Sequence, residues 1–372
     1  MQSDGKDVIR LDEGAPDLPP APHIIDALHH SAMSTDLHSY QPHKGTKALR
    51  EAWAVMYERE HNVKIHPETE VLPLLGSKEG IFHLPLAFVD PGEVVLIPDP
   101  SYITYTKGTL LAGGIPYYLK LEHQNGYLPE IENIPADIVR RSRVMWLNYP
   151  NNPTASMATL AFFEKIIDFG RRNQILICHD AAYTQVTYNG KPAPSILQVD
   201  GAKDVAIEFN TLSKSHNMAG WRVGAVVGNA EILRPLYTLK TNLDSGAFRP
   251  ILDASVAAMT GDQNWLIDRN AIYKQRRDLV LAGLSESGLK AQTPEGSLYV
   301  WVPIFEGWSA QGFCSYFLEE GHLSLTPGTV FGTNGEGFVR ISLTAPNQRI
   351  EEAMDRMKRA VQRMPEKESG WH

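Results

Sequence analysis

Between about residue 70 and residue 240, short apolar runs alternate with stretches whose apolar residues recur every three or four positions. The runs that we interpret as strands are EVLPLL, EVVLIPD, GIPYYLKL, RVMWLNYP, QILICHD, VAIEFN and RVGAVVG. The segments between them, such as KEGIFHLPLAFV and ATLAFFEKIIDFGRRN, have the spacing of amphipathic helices. Because the runs lack a clean alternation of polar and apolar residues, they suit strands buried on both faces of a parallel sheet. The pattern predicts a layered α/β domain with right-handed crossovers.

The pattern changes after about residue 245. A long charged helix candidate, NWLIDRNAIYKQRRDLVLAGLSESG, leads to strand candidates around SLYVWVPI and FVRISL and to a final helix, IEEAMDRMKRAVQRM. This part predicts a smaller α+β domain, and we expect the proline-rich N-terminal stretch to pack on it. The predicted boundaries are residues 36–250 for the large domain and residues 1–35 with 251–372 for the small domain.

The composition excludes several classes of function. The chain has 372 residues, 43% of them hydrophobic, and a formal net charge of −8, so neither nucleic acid nor an anionic membrane is an expected partner. The N-terminus lacks the apolar core of a signal peptide and no run is long enough to span a membrane, which predicts a cytoplasmic protein. The 13 histidines form no HExxH or comparable spacing, so we predict no metal site.

Polar residues follow the strand candidates at the positions where an open α/β sheet binds ligands. Asn152 follows RVMWLNYPN, Asp180 ends QILICHD, and Lys214 follows VAIEFNTLS. Gly76 and Ser77 follow EVLPLL and open a helix, whose backbone N–H groups could hold an anion. Each feature also has an ordinary structural explanation, as a turn, a helix cap or a solvated lysine. The sequence around Lys214 lacks the glycines of a phosphate-binding P-loop.

Taken in order, these motifs resemble those of pyridoxal-phosphate-dependent aminotransferases of class I/II, fold type I. They are Y-x-P-x-x-G-x-x-x-L-R at 40–50, GSKEG at 76–80, DPSY at 99–102, NYPNNPT at 148–154, D-x-A-Y at 180–183 and S-K-x-x-x-M-A-G-W-R at 213–222. The resemblance covers nearly the whole chain. It implies a large domain with a mostly parallel seven-stranded sheet sandwiched by helices, a smaller α+β domain, and pyridoxal 5'-phosphate as the cofactor.

The resemblance also implies roles for individual residues. Lys214 is the candidate Schiff-base lysine, and Asp180 would face the pyridine nitrogen and keep it protonated. Asn152 and Tyr183 would hydrogen-bond the phenolic oxygen of the ring, and Tyr102 would stack on its face. The predicted phosphate ligands are Arg222, Gly76, Ser77, Lys78, Thr211 and Ser213.

Other predicted contacts concern the substrate and a second subunit. Arg340, with Gly14 and Asn152, would bind the α-carboxylate of the substrate, because a guanidinium fork suits a carboxylate. Tyr40 would reach the cofactor phosphate of the neighbouring subunit, and Asn242 lies in a segment expected at the same interface. The resemblance thus implies a homodimer with shared active sites. Ala155 replaces the glycine usual after NPT, and it would strain the turn if that position needs a positive φ.

The motifs are most similar to the LL-diaminopimelate aminotransferase branch of the family. That branch implies amino-group exchange between an L-amino acid and a 2-oxo acid, with LL-diaminopimelate and 2-oxoglutarate as one pair. A broad-range alanine, aspartate or aromatic aminotransferase remains an alternative. A carbon–sulfur β-lyase that uses the same cofactor and fold is another.

Overall fold

The structure is a computed structural model, and it describes residues 5–364. Its helices are α1 (Pro22–Ala32), α2 (Lys47–His61), α3 (Ser77–Phe88), α4 (Thr104–Leu111), α5 (Ala136–Arg141), α6 (Leu160–Asn173), α7 (Leu212–Ser215), α8 (Ala230–Leu243), α9 (Arg249–Thr260), α10 (Trp265–Glu286), α11 (Ala310–Glu320) and α12 (Asn347–Gln362). Its strands are β1 (Ile9–Arg10), β2 (Val71–Leu74), β3 (Val94–Asp99), β4 (Ile115–Lys120), β5 (Ser142–Asn148), β6 (Leu176–Asp180), β7 (Ala206–Thr211), β8 (Gly224–Gly228), β9 (Tyr299–Pro303), β10 (Leu323–Ser324), β11 (Thr326–Pro327) and β12 (Phe338–Ser342).

The predicted large sheet is present. Its order is β2-β8-β7-β6-β5-β3-β4, and each of the seven strands falls within one of the seven apolar runs, extended by at most one residue at an end. Strand β8 pairs antiparallel with both of its neighbours, and the other pairs are parallel. All residues of β3, β7 and β8 are buried, because helices cover both faces. The fold class predicted from the sequence is confirmed.

Local sequence signals explain where the flanking helices begin and end. Thr46 and Thr159 cap α2 and α6 by accepting hydrogen bonds from backbone N–H groups three residues later. Asn62 and Gln174 end the same two helices in the left-handed conformation. These ends fix the helices against the sheet, with Trp53 of α2 and Phe163 of α6 fully buried.

A second hydrophobic core lies around the sheet β11-β12-β9. Strand β1 pairs with β10, and Leu11 lies in this core, whereas Ile24 of α1 packs with Leu252 of α9 in the core of the large sheet. The N-terminal segment therefore contacts both cores, and the domain boundaries given above remain a prediction. Within residues 5–364, no helix has the length and apolarity needed to cross a membrane.

Candidate active site

A cavity of about 480 Å³ opens at the carboxyl edge of the large sheet. Its walls come from the ends of β2, β5, β6 and β7, from the chain entering β8, and from the small sheet. Strand β8 is antiparallel, so the residues before it, including Arg222, lie at the same edge as the residues after the other strands. The predicted site residues that line the cavity are Gly14, Ser77, Lys78, Tyr102, Asn152, Asp180, Tyr183, Thr211, Ser213, Lys214, Arg222 and Arg340.

Asp180, at the end of β6, is buried with one carboxylate oxygen bonded and the other unpartnered. Tyr105 of α4 donates its hydroxyl to Oδ2 at 2.8 Å, while Oδ1 has no hydrogen-bond partner within the described part of the chain. Burial raises the pKa of Asp180 from 3.8 to about 6, although the Tyr105 hydrogen bond opposes the shift. A buried carboxylate oxygen without a donor is costly, and a ligand N–H placed there would relieve the cost.

Lys214 lies on the short helix α7, directly after β7. Its Nζ donates to the carbonyl oxygen of Gly14, which also accepts a hydrogen bond from the Tyr299 hydroxyl at 3.3 Å. The hydroxyls of Tyr299 and Tyr183 lie 2.9 Å apart. Gly14 therefore brings the N-terminal segment to the amine, and the two tyrosines link the large sheet to the small one beside it.

Arg222 lies beside the N-terminus of α3. Its guanidinium donates to Ser213 Oγ at 3.2 Å and to the carbonyl oxygen of Ala219 at 2.8 Å. Gly76, just before α3, has a φ of +79°, and a Cβ placed there would approach Nη2 of Arg222 to 2.3 Å. The absence of a side chain at Gly76 thus lets the guanidinium approach the helix N-terminus, where Ser77 begins α3. A guanidinium, a hydroxyl and a helix N-terminus together suit a phosphate.

Arg340, on β12, is buried, and its guanidinium donates hydrogen bonds to the loop after β5 and to the N-terminal segment. It donates to Asn152 Oδ1 and to the carbonyl oxygen of Asp12, each at 2.9 Å. Its guanidinium carbon lies 4.1 Å from the ring centre of Tyr299 and 4.8 Å from that of Phe331. Nε of Arg340 is buried and has no partner among the described residues. The side chain is held rigidly at the cavity wall and can still donate to an anion there.

The family model for aminotransferase class I and II matches residues 6–357. The chain belongs to this family. It is 43% identical over 357 residues to an LL-diaminopimelate aminotransferase of Moorella thermoacetica, covering 96% of this chain and 92% of the relative. It is 45% identical over 363 residues to one from Desulforudis audaxviator, covering 98% and 93%. The chain is therefore an aminotransferase, and the resemblance predicted from its motifs is confirmed.

Solved structures of other aminotransferases share the fold. The substrate-bound structure of BacF from Bacillus subtilis has a TM-score of 0.93 and 37% identity, over 96% of this chain and 91% of that one. A probable N-succinyldiaminopimelate aminotransferase from Thermus thermophilus has a TM-score of 0.92 and 31% identity, over 96% of each chain.

Three predicted ligands lie away from the cavity wall or use their groups elsewhere. Gly76 does not line the cavity, although it lies next to Arg222. Tyr40 is 92% exposed in this aminotransferase chain and does not line the cavity. The hydroxyl of Thr211 donates to the carbonyl oxygen of Val223 at 2.9 Å and accepts from the N–H of Ser213 at 3.2 Å, so it caps α7. Their roles at a phosphate remain predictions.

Sequence reasoning missed several residues of the candidate site. Tyr105 lies three positions after Tyr102, just inside α4, and that closeness in the chain was a signal that it could reach the same site. Asn148 pairs in register with Asp180 and donates to its carbonyl oxygen at 2.7 Å, and it holds the backbone N–H of Asn152 at 2.8 Å. Tyr299 and Phe331 carried no signal, since they approach Arg340 only through the tertiary fold.

Ala155 has a φ of +58°, in the left-handed region. A positive φ was the condition for strain in the turn at this position, and that condition is met. The turn nonetheless closes, with the N–H of Ala155 donating to the carbonyl oxygen of Asn151 at 2.9 Å.

A cluster of possible metal ligands lies near α3. Ligand atoms of Glu79, His83 and Asp244 fall within 4.8 Å of one another. The ammonium of Lys240 lies 2.9 Å from Glu79 and 2.6 Å from Asp244, so one cationic side chain already pairs with both carboxylates and offsets part of their charge. The cluster is an ion-pair network that joins α3 to the end of α8, and the sequence-based expectation of no metal site stays a prediction.

Proposed function

We propose that this aminotransferase uses pyridoxal 5'-phosphate to move an amino group from LL-diaminopimelate to 2-oxoglutarate. The observation that carries the cofactor is the unpartnered Oδ1 of Asp180, a buried acceptor suited to the N–H of a protonated pyridine ring. The cavity also offers the amine of Lys214 and the guanidinium of Arg222 at a helix N-terminus. These donors fit an aldehyde and a phosphate at two ends of one small molecule. When bound, the cofactor supplies an electron-withdrawing ring that stabilises negative charge at the substrate Cα.

Different residues of the cavity bind the substrate carboxylate, remove the Cα proton and keep the ring nitrogen protonated. Arg340 binds the α-carboxylate and, because two aromatic rings and Asn152 restrict it, fixes the orientation of the Cα–H bond. Nζ of Lys214 removes the Cα proton, since it is the amine that lines the cavity beside Gly14. Asp180, in its ionised form, holds a proton on the ring nitrogen.

The choice of LL-diaminopimelate rests first on relatives of that name at 43% and 45% identity over nearly the whole chain. The charges of the cavity agree with a substrate that has a carboxylate at each end. Its wall carries Arg340, which is buried, and Lys78, which is exposed. A dicarboxylic substrate would meet one cation at its reacting end and another towards the mouth of the cavity.

A rate comparison tests the substrate. We expect turnover of LL-diaminopimelate with 2-oxoglutarate to exceed that of alanine, aspartate and phenylalanine, with one oxo acid formed for each donor consumed. Lys78→Met should raise KM for LL-diaminopimelate more than KM for alanine. No turnover of LL-diaminopimelate beside brisk turnover of another donor would refute the substrate. Release of ammonia or thiol would indicate a β-lyase.

A labelling experiment tests the cofactor bond. Purified protein should be yellow, and borohydride should fix the cofactor covalently to Lys214. Lys214→Ala should lose the label and the steady-state turnover, because the cavity wall then has no amine at that position. Lys107→Ala is the control, a lysine outside the cavity wall, and it should keep the label. Label recovered mainly on Lys78 or Lys240 would contradict the assignment.

We also propose that the enzyme is a homodimer whose active sites are shared. The two segments predicted to reach the partner lie side by side, with the rings of His38 and Phe248 5.5 Å apart. They expose Tyr40, Leu243 and Phe248, which are 92%, 53% and 45% accessible. Such a cluster of large exposed apolar side chains suits a protein interface.

Subunit mixing tests the shared site. Tyr40→Ala and Lys214→Ala should each be weak or inactive alone, and a mixed dimer should regain activity because one of its two sites receives both native residues. A mixture that stays as inactive as its components, although hybrid dimers form, would exclude a shared site.

A further inference from the structure

Asp99, the last residue of β3, joins the large sheet to a loop between β11 and β12. The loop comprises residues 328–335, which form two short 3-10 turns, and we call it the Phe331 loop. The buried carboxylate of Asp99 accepts hydrogen bonds from Thr333 Oγ1 and Asn334 Nδ2, each at 3.0 Å, and from the backbone N–H of Asn334 at 3.3 Å. Three donors around one side chain suit an ionised carboxylate, which can only accept.

The Phe331 loop approaches Asp99 so closely that position 332 has no room for a side chain. Gly332 has a φ of +135°, and a Cβ placed there would come within 1.9 Å of Oδ1 of Asp99. The N–H of Ser101, two residues after Asp99, donates to the carbonyl oxygen of Phe331 at 2.8 Å. The loop is therefore bonded to the chain at the end of β3 on both sides of Gly332, through a side chain and through the backbone.

Asp99 is itself held by the large sheet. It pairs in register with Lys120 of β4, and its carbonyl oxygen accepts a hydrogen bond from the N–H of Leu121 at 2.9 Å. A side chain at the end of a paired strand is held more precisely than one on a loop. Asp99 thus gives the Phe331 loop a rigid attachment to the large sheet.

The Phe331 loop carries part of the cavity wall. Val330 and Phe331 both line the cavity, and the ring centre of Phe331 lies 4.8 Å from the guanidinium carbon of Arg340. The same ring meets Trp301 of β9 edge-on, with centres 6.1 Å apart. A displacement of the loop would take one of the two aromatic rings away from Arg340, and the guanidinium would then be less restricted.

We propose that Asp99 is a positioning residue for substrate binding, which acts through the Phe331 loop to hold Phe331 against Arg340. The inference rests on the proposed role of Arg340 in binding the substrate carboxylate. Asp99 does not line the cavity, so its effect on a carboxylate ligand passes through the loop. Replacing Asp99 therefore weakens the binding of a carboxylate much more than the retention of the cofactor, whose proposed ligands Asp180 and Arg222 lie at other strands.

Hydrogen–deuterium exchange of the full chain tests the attachment without any substrate. Asp99→Asn should raise exchange in a peptide covering residues 328–337, because an amide has one acceptor oxygen where the carboxylate has two. Thr333→Val keeps the carboxylate, removes one of its bonds and should have a smaller effect in the same direction.

Asp7→Asn is the matched control for the exchange experiment. Asp7 is also a carboxylate that ties two segments together, since it pairs with Arg349 and Arg356 of α12, and it lies outside the cavity wall. This variant should leave exchange in residues 328–337 unchanged. Unchanged exchange in Asp99→Asn would overturn the attachment, and Thr333→Val decides the matter in the same way if Asp99→Asn does not fold.

Ligand binding by the enzyme loaded with pyridoxal phosphate tests the consequence for the substrate. The probe is succinate, a dicarboxylate without an amino group, and its Ki is measured against the amino donor that is turned over fastest. Asp99→Asn should raise this Ki about tenfold or more, since a displacement of about 1 Å at a positioned group has effects of this size. The dissociation constant of pyridoxal phosphate should stay nearly unchanged. An unchanged Ki, or equal losses in both constants, would overturn the proposal.

A double substitution tests the route from Asp99 to Arg340. Phe331→Leu should raise the Ki of succinate by itself, and adding Asp99→Asn should raise it little further, because both changes remove the same ring contact. Additive effects would mean that Asp99 acts by another route, contrary to the proposal. Arg340→Ala separates this inference from the proposed function. If Arg340→Ala left the Ki unchanged, the proposed carboxylate site would fall; if it abolished binding while Asp99→Asn had no effect, only this inference would fall.

Discussion

Replacing Asp180 by asparagine should change the stability of the cofactor-free protein in a pH-dependent way that favours the variant more as the pH rises. The pKa of this carboxyl is raised by burial from 3.8 to about 6, so the folded chain binds the proton more tightly than the unfolded chain. For an acid with a raised folded-state pKa, stability is lost as the pH rises through the interval between the two values. The penalty therefore begins near pH 4 and is complete above pH 6.

The size of the effect follows from the shift. At about 1.36 kcal/mol for each pKa unit, a change from 3.8 to about 6 corresponds to about 3 kcal/mol above pH 7. The same linkage gives about 1.6 kcal/mol at pH 5. The amide also leaves an unpaired buried N–H, a cost of about 1–3 kcal/mol, but that cost does not depend on pH. The difference between Asp180→Asn and the parent should thus move by about 1.4 kcal/mol in favour of the variant from pH 5 to pH 7.5.

Urea unfolding followed by tryptophan fluorescence measures this difference. The protein should be stripped of cofactor, because a bound ligand stabilises the folded state on its own account. Adding pyridoxal phosphate should reverse the order, since the parent carboxylate then gains a partner and the variant does not. If the difference in unfolding free energy between variant and parent did not change from pH 5 to pH 7.5, the reasoning that burial raises the pKa of the Asp180 carboxyl would be refuted.

The remaining predictions concern the phosphate end, the turn and the tyrosine partner. Gly76→Ala should weaken cofactor retention by about 1–3 kcal/mol in equilibrium dialysis, because the new Cβ displaces Arg222. Gly92→Ala is its control, with a φ of +87° and no atom within 4 Å, and it should retain the cofactor normally. Ala155→Gly should raise the unfolding free energy by about 1 kcal/mol, seen as a higher Tm, by relieving the positive φ. Tyr105→Phe should move the acid limb of the pH–rate profile to higher pH, because it removes a bond that lowers the pKa of the site carboxylate; an unmoved limb would count against this.

The sequence predicted the strands well because a strand buried on both faces leaves a continuous apolar run. It also located Asp180 and Lys214, since polar residues at the carboxyl ends of such strands meet at one edge. The position of Arg222 follows less directly. It reaches that edge only because β8 runs antiparallel, and an apolar run has the same composition in either direction.

The partners of the site residues could not be read from the sequence. Tyr105 bonds Asp180 across 75 positions of the chain, and Tyr299 meets Gly14 across 285. Such contacts depend on how helices and domains pack, and the local periodicity of apolar residues does not indicate that packing. Thr211 illustrates the opposite case, where a motif residue uses its hydroxyl to cap the adjacent helix.

The setting of Arg340 limits how this enzyme could be re-engineered. Its guanidinium lies over two aromatic rings, donates to Asn152 and to Asp12, and has a buried Nε without a partner among the described residues, so the proposed carboxylate contact is built into the packing of the cavity wall. A simple primary amine would forgo the charge-assisted hydrogen bond that Arg340 is proposed to make to a substrate carboxylate, which weakens binding by about 1.5–3 kcal/mol. Directed evolution towards amine synthesis would then have to replace the arginine together with the rings that hold it, and changes confined to the loops at the cavity mouth would gain little.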